Sequence, residues 1–214
     1  MYTLNMEVLF SIDAGIELWI DADKLEDEQI YEPYILIVPE EYDDKKIINV
    51  HIEDDYVREI EFPEGCQYIS ISNCANLESV VCSSSIYELT VSNCENLKSF
   101  AFPEDCYLPE ISLSFLNIAS LESLDLPDTV MWIDNSFWNL NTLSELILPD
   151  GLQTIRSSFI SCPSLETVDV PDSVTLIDGE SFTGCDNLTF IVGHDTAAEE
   201  YAIENDIPYQ YRDE

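Results

Sequence analysis

Apolar residues recur along this chain in units of 20 to 24 residues. One leucine holds the same place in each of six units: Leu77, Leu97, Leu121, Leu143, Leu165 and Leu188. Another apolar residue follows each leucine after three positions, and in most units a further one follows two positions later. A unit of this length cannot bury its own apolar side chains, so the pattern predicts coils that stack into a solenoid.

The first half of each unit predicts a short β-strand, since apolar residues at alternate positions place every second side chain in the interior. This spacing predicts six inward residues: Val80, Phe100, Leu124, Leu146, Val168 and Ile191. A proline and an acidic residue often come next, and proline ends a strand because it cannot donate to the ladder. The second half carries an aliphatic residue and then Ser-Phe in most units, which we expect to form the opposite wall of the core.

Residues 1–56 are less regular and predict an N-terminal cap. Apolar residues alternate on both sides of Asp13-Ala14-Gly15, which predicts a β-hairpin. A short helix is expected over residues 23–29. Leu36 and Val38 match the repeat positions and predict a degenerate first coil.

Residues 57–193 form the repeat region, and residues 194–214 predict a C-terminal cap. Thr196-Ala197-Ala198-Glu199 has the pattern of a capping box, which predicts the start of a short helix that continues to about Asn205. This helix is expected to cover the open end of the last coil.

The consensus C-x-x-L-x-x-[LVI]-x-[LVI]-P-[DE], followed by V-x-x-I and S-F, resembles the BspA-like leucine-rich repeats. The resemblance implies a mainly β repeat solenoid, a right-handed stack of coils that binds proteins rather than catalysing a reaction. It also implies a surface protein, since members are typically adhesins or binding modules. Two units depart from the consensus: Cys82-Ser83-Ser84-Ser85 replaces the Pro-acid pair in one, and the next has two extra residues near Tyr107-Leu108-Pro109.

Charge restricts the class of partner. The chain has 44 Asp and Glu against 7 Lys and Arg, a formal net charge of -37. This balance argues against direct binding of nucleic acid and against docking on anionic membranes. Disorder is not implied, because 46% of the residues are apolar. We therefore expect a folded acidic scaffold whose protein partner is basic.

Motifs for catalysis or cofactors are missing from the sequence. There is no P-loop, no G-x-G-x-x-G, no H-E-x-x-H and no G-x-S-x-G, and His51 and His194 have no triad partner at a recognisable spacing. The seven cysteines contain no C-x-x-C pair, so we interpret them as small buried apolar residues. We expect no enzymatic activity, no cofactor and no metal site.

Surface positions supply the candidate sites. Residues that alternate with the inward ones give the candidate protein-binding set: Val81, Asp125, Glu145, Ile147, Asp169, Phe190 and Val192. The Pro-acid turns give an acidic ladder: Glu104, Asp128, Asp150 and Asp172. These four carboxylates have two readings, as part of a recognition surface or as caps that accept hydrogen bonds from the turn amides.

Two functions remain open from the sequence. The first is a protein-interaction scaffold with an acidic surface. The second is a nucleic-acid mimic that occupies the basic groove of a nuclease or another nucleic-acid-binding protein, since the repeats approach the linear charge density of duplex DNA, about one charge per 1.7 Å. Acidity as an adaptation to high salt is a weaker third reading. The N-terminus has no recognisable signal peptide, which favours the cytoplasm, whereas the resemblance implies secretion or the cell surface.

Overall fold

Two walls of parallel β-strands enclose a continuous apolar core in this computed structural model, which describes residues 6–11, 15–21, 33–42 and 44–212. Strands are numbered in chain order. The first wall contains β3 (Tyr34–Ile37), β6 (Val57–Glu61), β8 (Ser79–Val81), β10 (Ser99–Ala101), β12 (Ser123–Leu124), β14 (Glu145–Ile147), β16 (Thr167–Asp169) and β18 (Thr189–Val192). The second wall contains β5 (Lys45–Glu53), β7 (Tyr68–Ser72), β9 (Glu88–Ser92), β11 (Glu110–Ser112), β13 (Trp132–Asp134), β15 (Thr154–Arg156) and β17 (Leu176–Ile177).

Each coil up to β17 contributes one strand to each wall, and β18 is followed by α1, which confirms the solenoid predicted from the repeat. Pairing in the first wall runs from β3 to β12 and resumes from β14 to β18. In the second wall it runs from β5 to β9 and resumes from β11 to β17. The second-wall interruption precedes β11, which lies in the unit with two extra residues, whereas the first-wall interruption lies one unit later, between β12 and β14.

The N-terminal hairpin is confirmed. β1 (Met6–Ser11) and β2 (Gly15–Asp21) pair antiparallel, and β2 adds to the second wall by pairing parallel with β5. β4 (Glu41–Tyr42) pairs antiparallel with β5. β3 pairs parallel with β6, so the degenerate first coil is present. The helix predicted over residues 23–29 lies outside the described residues.

The C-terminal cap contains the predicted helix, α1 (Ala197–Glu204). Thr196 caps it by accepting a hydrogen bond from the amide of Glu199 at 3.2 Å. Tyr201 is buried against the last coil, where its hydroxyl donates to the carbonyl of Ser181. β19 (Tyr209–Tyr211) then pairs parallel with β18 and covers the edge of the first wall.

Ser-Phe pairs form two parallel ladders inside the core. The rings of Phe115, Phe137, Phe159 and Phe182 stack face to face with centroids 4.9 to 5.1 Å apart. All four have positive φ angles near 60°, an uncommon backbone conformation for a bulky residue. The buried serine before each ring accepts a backbone hydrogen bond from the preceding coil. Burial of the rings and satisfaction of these amides together hold the strained turns.

Phe190 and Val192 correct the sequence interpretation. Both were expected to face solvent, with Ile191 inside, but both are fully buried and Ile191 is half-buried on the outer face. Phe190 pairs with Val168 in the ladder. One residue separates Leu188 from Phe190, whereas two separate the leucine from the inward residue in the other units. Because side chains alternate with a period of two, this one-residue difference exchanges the faces of the strand.

Candidate interaction surfaces

A single line of residues crosses the outer face of the first wall, and we call it the outer stripe. Each member follows an inward residue, and the paired members lie opposite one another in the parallel ladder. The outer stripe contains Ile37, Glu61, Val81, Ala101, Asp125, Ile147, Asp169 and Ile191. Apolar side chains are therefore interspersed with acidic ones along one line of exposed and half-buried positions.

The outer stripe contains four of the predicted protein-binding residues. Val81 is 46% exposed and Ile147 is 76% exposed, and Asp125 is also exposed. Asp169 is half-buried and pairs directly with Ile147. Glu145 lies on the same face, two residues before Ile147 in β14. The burial of Phe190 and Val192 removes them from this surface.

Arg212 shows how a guanidinium group sits on this acidic face. Its Nη2 lies 2.8 Å from Oδ1 of Asp169, and its Nη1 lies 2.9 Å from Oδ1 of Asp172. Nη2 also donates to the carbonyl of Val170 at 2.8 Å. The hydrogen bonds to Asp169 and Asp172 raise the pKa of Arg212. These two carboxylates are thereby partly neutralised at the C-terminal end of the outer stripe.

All four carboxylates of the acidic ladder are exposed. Backbone bonds close their turns: the amide of Val130 donates to the carbonyl of Pro127 at 3.0 Å, and Leu152 to Pro149 at 2.9 Å. Among the described residues, Asp172 is the one member of the acidic ladder with a side-chain partner, the guanidinium of Arg212. None of the four carboxylates accepts a hydrogen bond from a turn amide within the described ranges. Glu104, Asp128 and Asp150 thus point to solvent.

Exposed aromatic residues on the second-wall side were missed by the sequence reasoning. Tyr87 is 73% exposed, and Trp132 and Tyr107 are also exposed. Trp19 stacks on His51 with ring centroids 4.2 Å apart. The alternation of exposed and buried residues within β9 and β13 is the signal that could have placed this face.

An asparagine ladder was also missed. The side-chain amide of Asn93 donates to Asn73 at 3.1 Å, Asn117 to Asn93 at 2.8 Å and Asn139 to Asn117 at 2.7 Å. Each has a positive φ angle, which asparagine tolerates better than most residues. The signal is an asparagine four residues before the repeat leucine in four units.

The cysteines are buried, as predicted, and all seven are free thiols. Burial raises the pKa of Cys66 to about 12 and the pKa of Cys106 to about 11, with the carboxylate of Asp105 adding to the latter. These thiols stay protonated at neutral pH and lack the thiolate character of a nucleophile. Across the described residues, no group of three His, Cys, Asp or Glu side chains is placed to hold a metal ion.

Comparisons with known proteins agree with this architecture. The sequence matches the BspA type leucine rich repeat region in six copies, over residues 54–111 and 71–189. The crystal structure of a T. pallidum leucine-rich repeat protein (TpLRR) has a TM-score of 0.52 at 19% identity, and the match covers 86% of this chain and 78% of that one. This likeness shows the fold.

Two further solved structures are less similar. A leucine-rich repeat protein from Bacteroides ovatus has a TM-score of 0.33 at 16% identity, covering 89% of this chain and 70% of its own. A leucine rich cell surface protein from Faecalibacterium prausnitzii has a TM-score of 0.25 at 12% identity, covering 99% and 94%. None of the curated proteins matches the chain. In the ranges that the structure describes, no helix is long and apolar enough to cross a membrane.

Proposed function

Since this chain belongs to the BspA-type leucine-rich repeat family, whose solenoids generally bind other proteins, we propose that it is a protein-binding scaffold whose outer stripe takes a basic partner. The observation that carries the proposal is the exposure of Ile147 in the same line as Asp125 and Asp169. An isoleucine that is 76% exposed contributes little to the core, whereas burial against a partner would remove its apolar surface from water.

The surroundings of Ile147 indicate the chemistry of the partner. An interface combines a buried apolar centre with a polar rim. Here the rim consists of carboxylates, and the one basic residue at this end, Arg212, is already paired with Asp169 and Asp172. A partner that places an apolar group on Ile147 and basic groups on Asp125 and Glu145 would satisfy both features.

The contacts of Arg212 also support a basic partner, because they show that a guanidinium group can bind to the carboxylates of this face. Its guanidinium bridges Asp169 and Asp172 while bonding to a backbone carbonyl. A basic side chain of a partner would meet the same type of oxygen atoms farther along the outer stripe. With a net charge of -37, we expect fast association and strong weakening by salt.

Capture of partners from the source cell's lysate tests this proposal. The immobilised wild type is compared with Ile147→Thr and with Ile203→Thr as a matched control. Threonine occurs at half-buried strand positions of this wall, in β16 and β18. Ile203 is 59% exposed but lies on α1, away from the outer stripe. We expect a basic protein that is held by the wild type and by Ile203→Thr, released by salt and lost with Ile147→Thr. An unchanged set of captured proteins with Ile147→Thr would remove the outer stripe as the binding surface.

Mimicry of nucleic acid is the second candidate, and it is favoured by the exposure of Glu104, Asp128 and Asp150. One carboxylate per coil, about 4.8 Å apart, is a lower linear density than that of duplex DNA, so the ladder alone would need other surface acids to match it. A variant that combines Glu104→Gln, Asp128→Asn and Asp150→Asn tests this candidate. If mimicry holds, duplex DNA competes the captured protein off and the triple variant binds it more weakly. If neither duplex DNA nor the triple substitution reduces capture of the partner, this candidate is eliminated.

A further inference from the structure

A cavity of about 440 Å³ opens on the second wall where the ladder is interrupted between β9 and β11. The repeat unit that contains β11 carries the two extra residues, near Tyr107-Leu108-Pro109. Pro109 lines the cavity, between Tyr87 of the preceding coil and Trp132 of the following one. The longer unit therefore separates neighbouring coils at one place and leaves a concave site in an otherwise regular wall.

The lining combines aromatic and acidic groups. Tyr87 and Trp132 present rings that are exposed to solvent, and Glu88 and Glu110 are exposed carboxylates in the strands beside them. No Lys or Arg is among the lining residues. Aromatic faces attract cations, and carboxylates accept their hydrogen bonds, so both halves of the lining favour a positively charged ligand.

Leu113 at the rim gives an independent indication of binding. Its side chain is 57% exposed although its φ angle is +51°, a conformation that is costly for leucine. The corresponding turn positions of the next two coils hold Asn135, which tolerates this backbone with less strain, and the polar Ser157. An exposed leucine here serves neither the turn nor the core, but it can cover the aliphatic stem of a ligand.

We propose that this cavity binds the guanidinium group of an arginine side chain on a protein partner. A guanidinium is planar, so it stacks on the ring of Trp132 or Tyr87 while its N–H groups bond to Glu88 or Glu110. Leu113 then packs on the methylene groups behind it. The inference rests on the proposed protein-binding function and adds a second contact, on the wall opposite the outer stripe.

Titration of the whole protein with N-acetyl-argininamide, followed by NMR, tests the site. The amide signals of Thr90 and Ser112, which line the cavity, report binding. Two variants remove ligand contacts: Trp132→Thr, which introduces the residue found at the same register in β15, and Glu110→Gln. Glu122→Gln removes an equal charge at an exposed position beside β12 of the first wall, outside both proposed binding surfaces, and is the matched control.

We expect saturable shifts with the wild type and with Glu122→Gln, and binding weaker by about tenfold or more in Trp132→Thr and Glu110→Gln. N-acetyl-citrullinamide, which has the same shape without the charge, should bind weakly as well. Equal binding of the citrulline compound, equal loss in Glu122→Gln, or no saturable shift would overturn the proposal. Equal shifts with a neutral disaccharide would indicate a carbohydrate site and overturn it too.

The two surfaces can fail separately. If Ile147→Thr abolishes partner capture while the arginine compound does not bind, the outer stripe stands and the cavity proposal falls. If the arginine compound binds in the cavity and Ile147→Thr has no effect on capture, the cavity stands without the outer stripe.

Discussion

The ring centroids of Phe137 and Phe159 lie 4.9 Å apart, and the angle between the two ring planes is only 6°. These residues are 22 positions apart and occupy the same place in successive coils. The stack ends edge-on, against Phe100 on one side and Phe190 on the other. The aromatic ladder therefore connects consecutive coils through the middle of the core.

Replacing Phe137 by alanine removes a ring from the interior of this stack. We expect the free energy of unfolding to fall by about 3–5 kcal/mol, because a cavity replaces the ring and both neighbouring rings lose a contact. Urea unfolding measures the change. Ile147→Ala, at an exposed position, is the control and should change stability by less than about 0.5 kcal/mol. Similar small changes for both variants would show that the stack contributes little.

Ser136 satisfies backbone groups of a buried turn. Its hydroxyl accepts from the amide of Ser114 at 3.1 Å and donates to the carbonyl of Asp134 at 2.9 Å. Ser136→Ala leaves that amide without its partner, so we expect a loss of about 1–3 kcal/mol in unfolding free energy. Ser99→Ala, on the exposed face of β10, is the matched change and should be nearly neutral. A loss of equal size at Ser99 would contradict this account.

The buried thiol of Cys66 makes the stability of the protein depend on alkaline pH. Burial raises the pKa of Cys66 from 9.0 to about 12, so the folded state holds the proton more tightly than the unfolded chain does. The contribution of this thiol to stability is complete below pH 9 and is lost as the pH rises toward 12. Urea unfolding at several pH values from 8 to 11 should therefore show falling stability, with a smaller fall in Cys66→Ala.

The same burial should protect the thiols from reagents. At pH 8 we expect an aromatic disulfide reagent to react slowly with the native protein and to modify all seven cysteines once urea unfolds it. Rapid modification of a thiol in the native state would show that its wall opens readily.

Asp178 produces the opposite dependence at acid pH. Burial raises its pKa, but the amide of Ser157 at 2.9 Å and the hydroxyl of Ser181 at 2.8 Å outweigh that effect, and the net pKa is lowered. Stability from this carboxylate is present above its unfolded pKa of 3.8 and is lost as the pH falls through the folded value. Asp178→Asn should destabilise the protein at pH 7, and its stability should converge with that of the wild type once the pH falls below the folded-state pKa of Asp178. A stability difference that is constant with pH would assign the effect to packing.

Local pattern in the sequence was sufficient for much of this protein. The spacing of the repeat leucines predicted the coils, alternation predicted the hairpin of β1 and β2, and Thr196 with Glu199 predicted the start of α1. These features depend on residues close together in the chain, where side-chain periodicity and capping act directly. The exposure of Val81 and Ile147 was predicted for the same reason.

Stacking between coils decided the rest. The spacer before Phe190 is one residue shorter than in the other units. Phe190 therefore pairs with Val168 of β16, and this register places the side chains of Phe190 and Val192 in the core. Arg212 reaches Asp169 across 43 positions, and the cavity beside Trp132 exists because a longer unit interrupts pairing between β9 and β11. Such contacts join residues one or more coils apart. They depend on the alignment of whole coils, which local sequence does not specify.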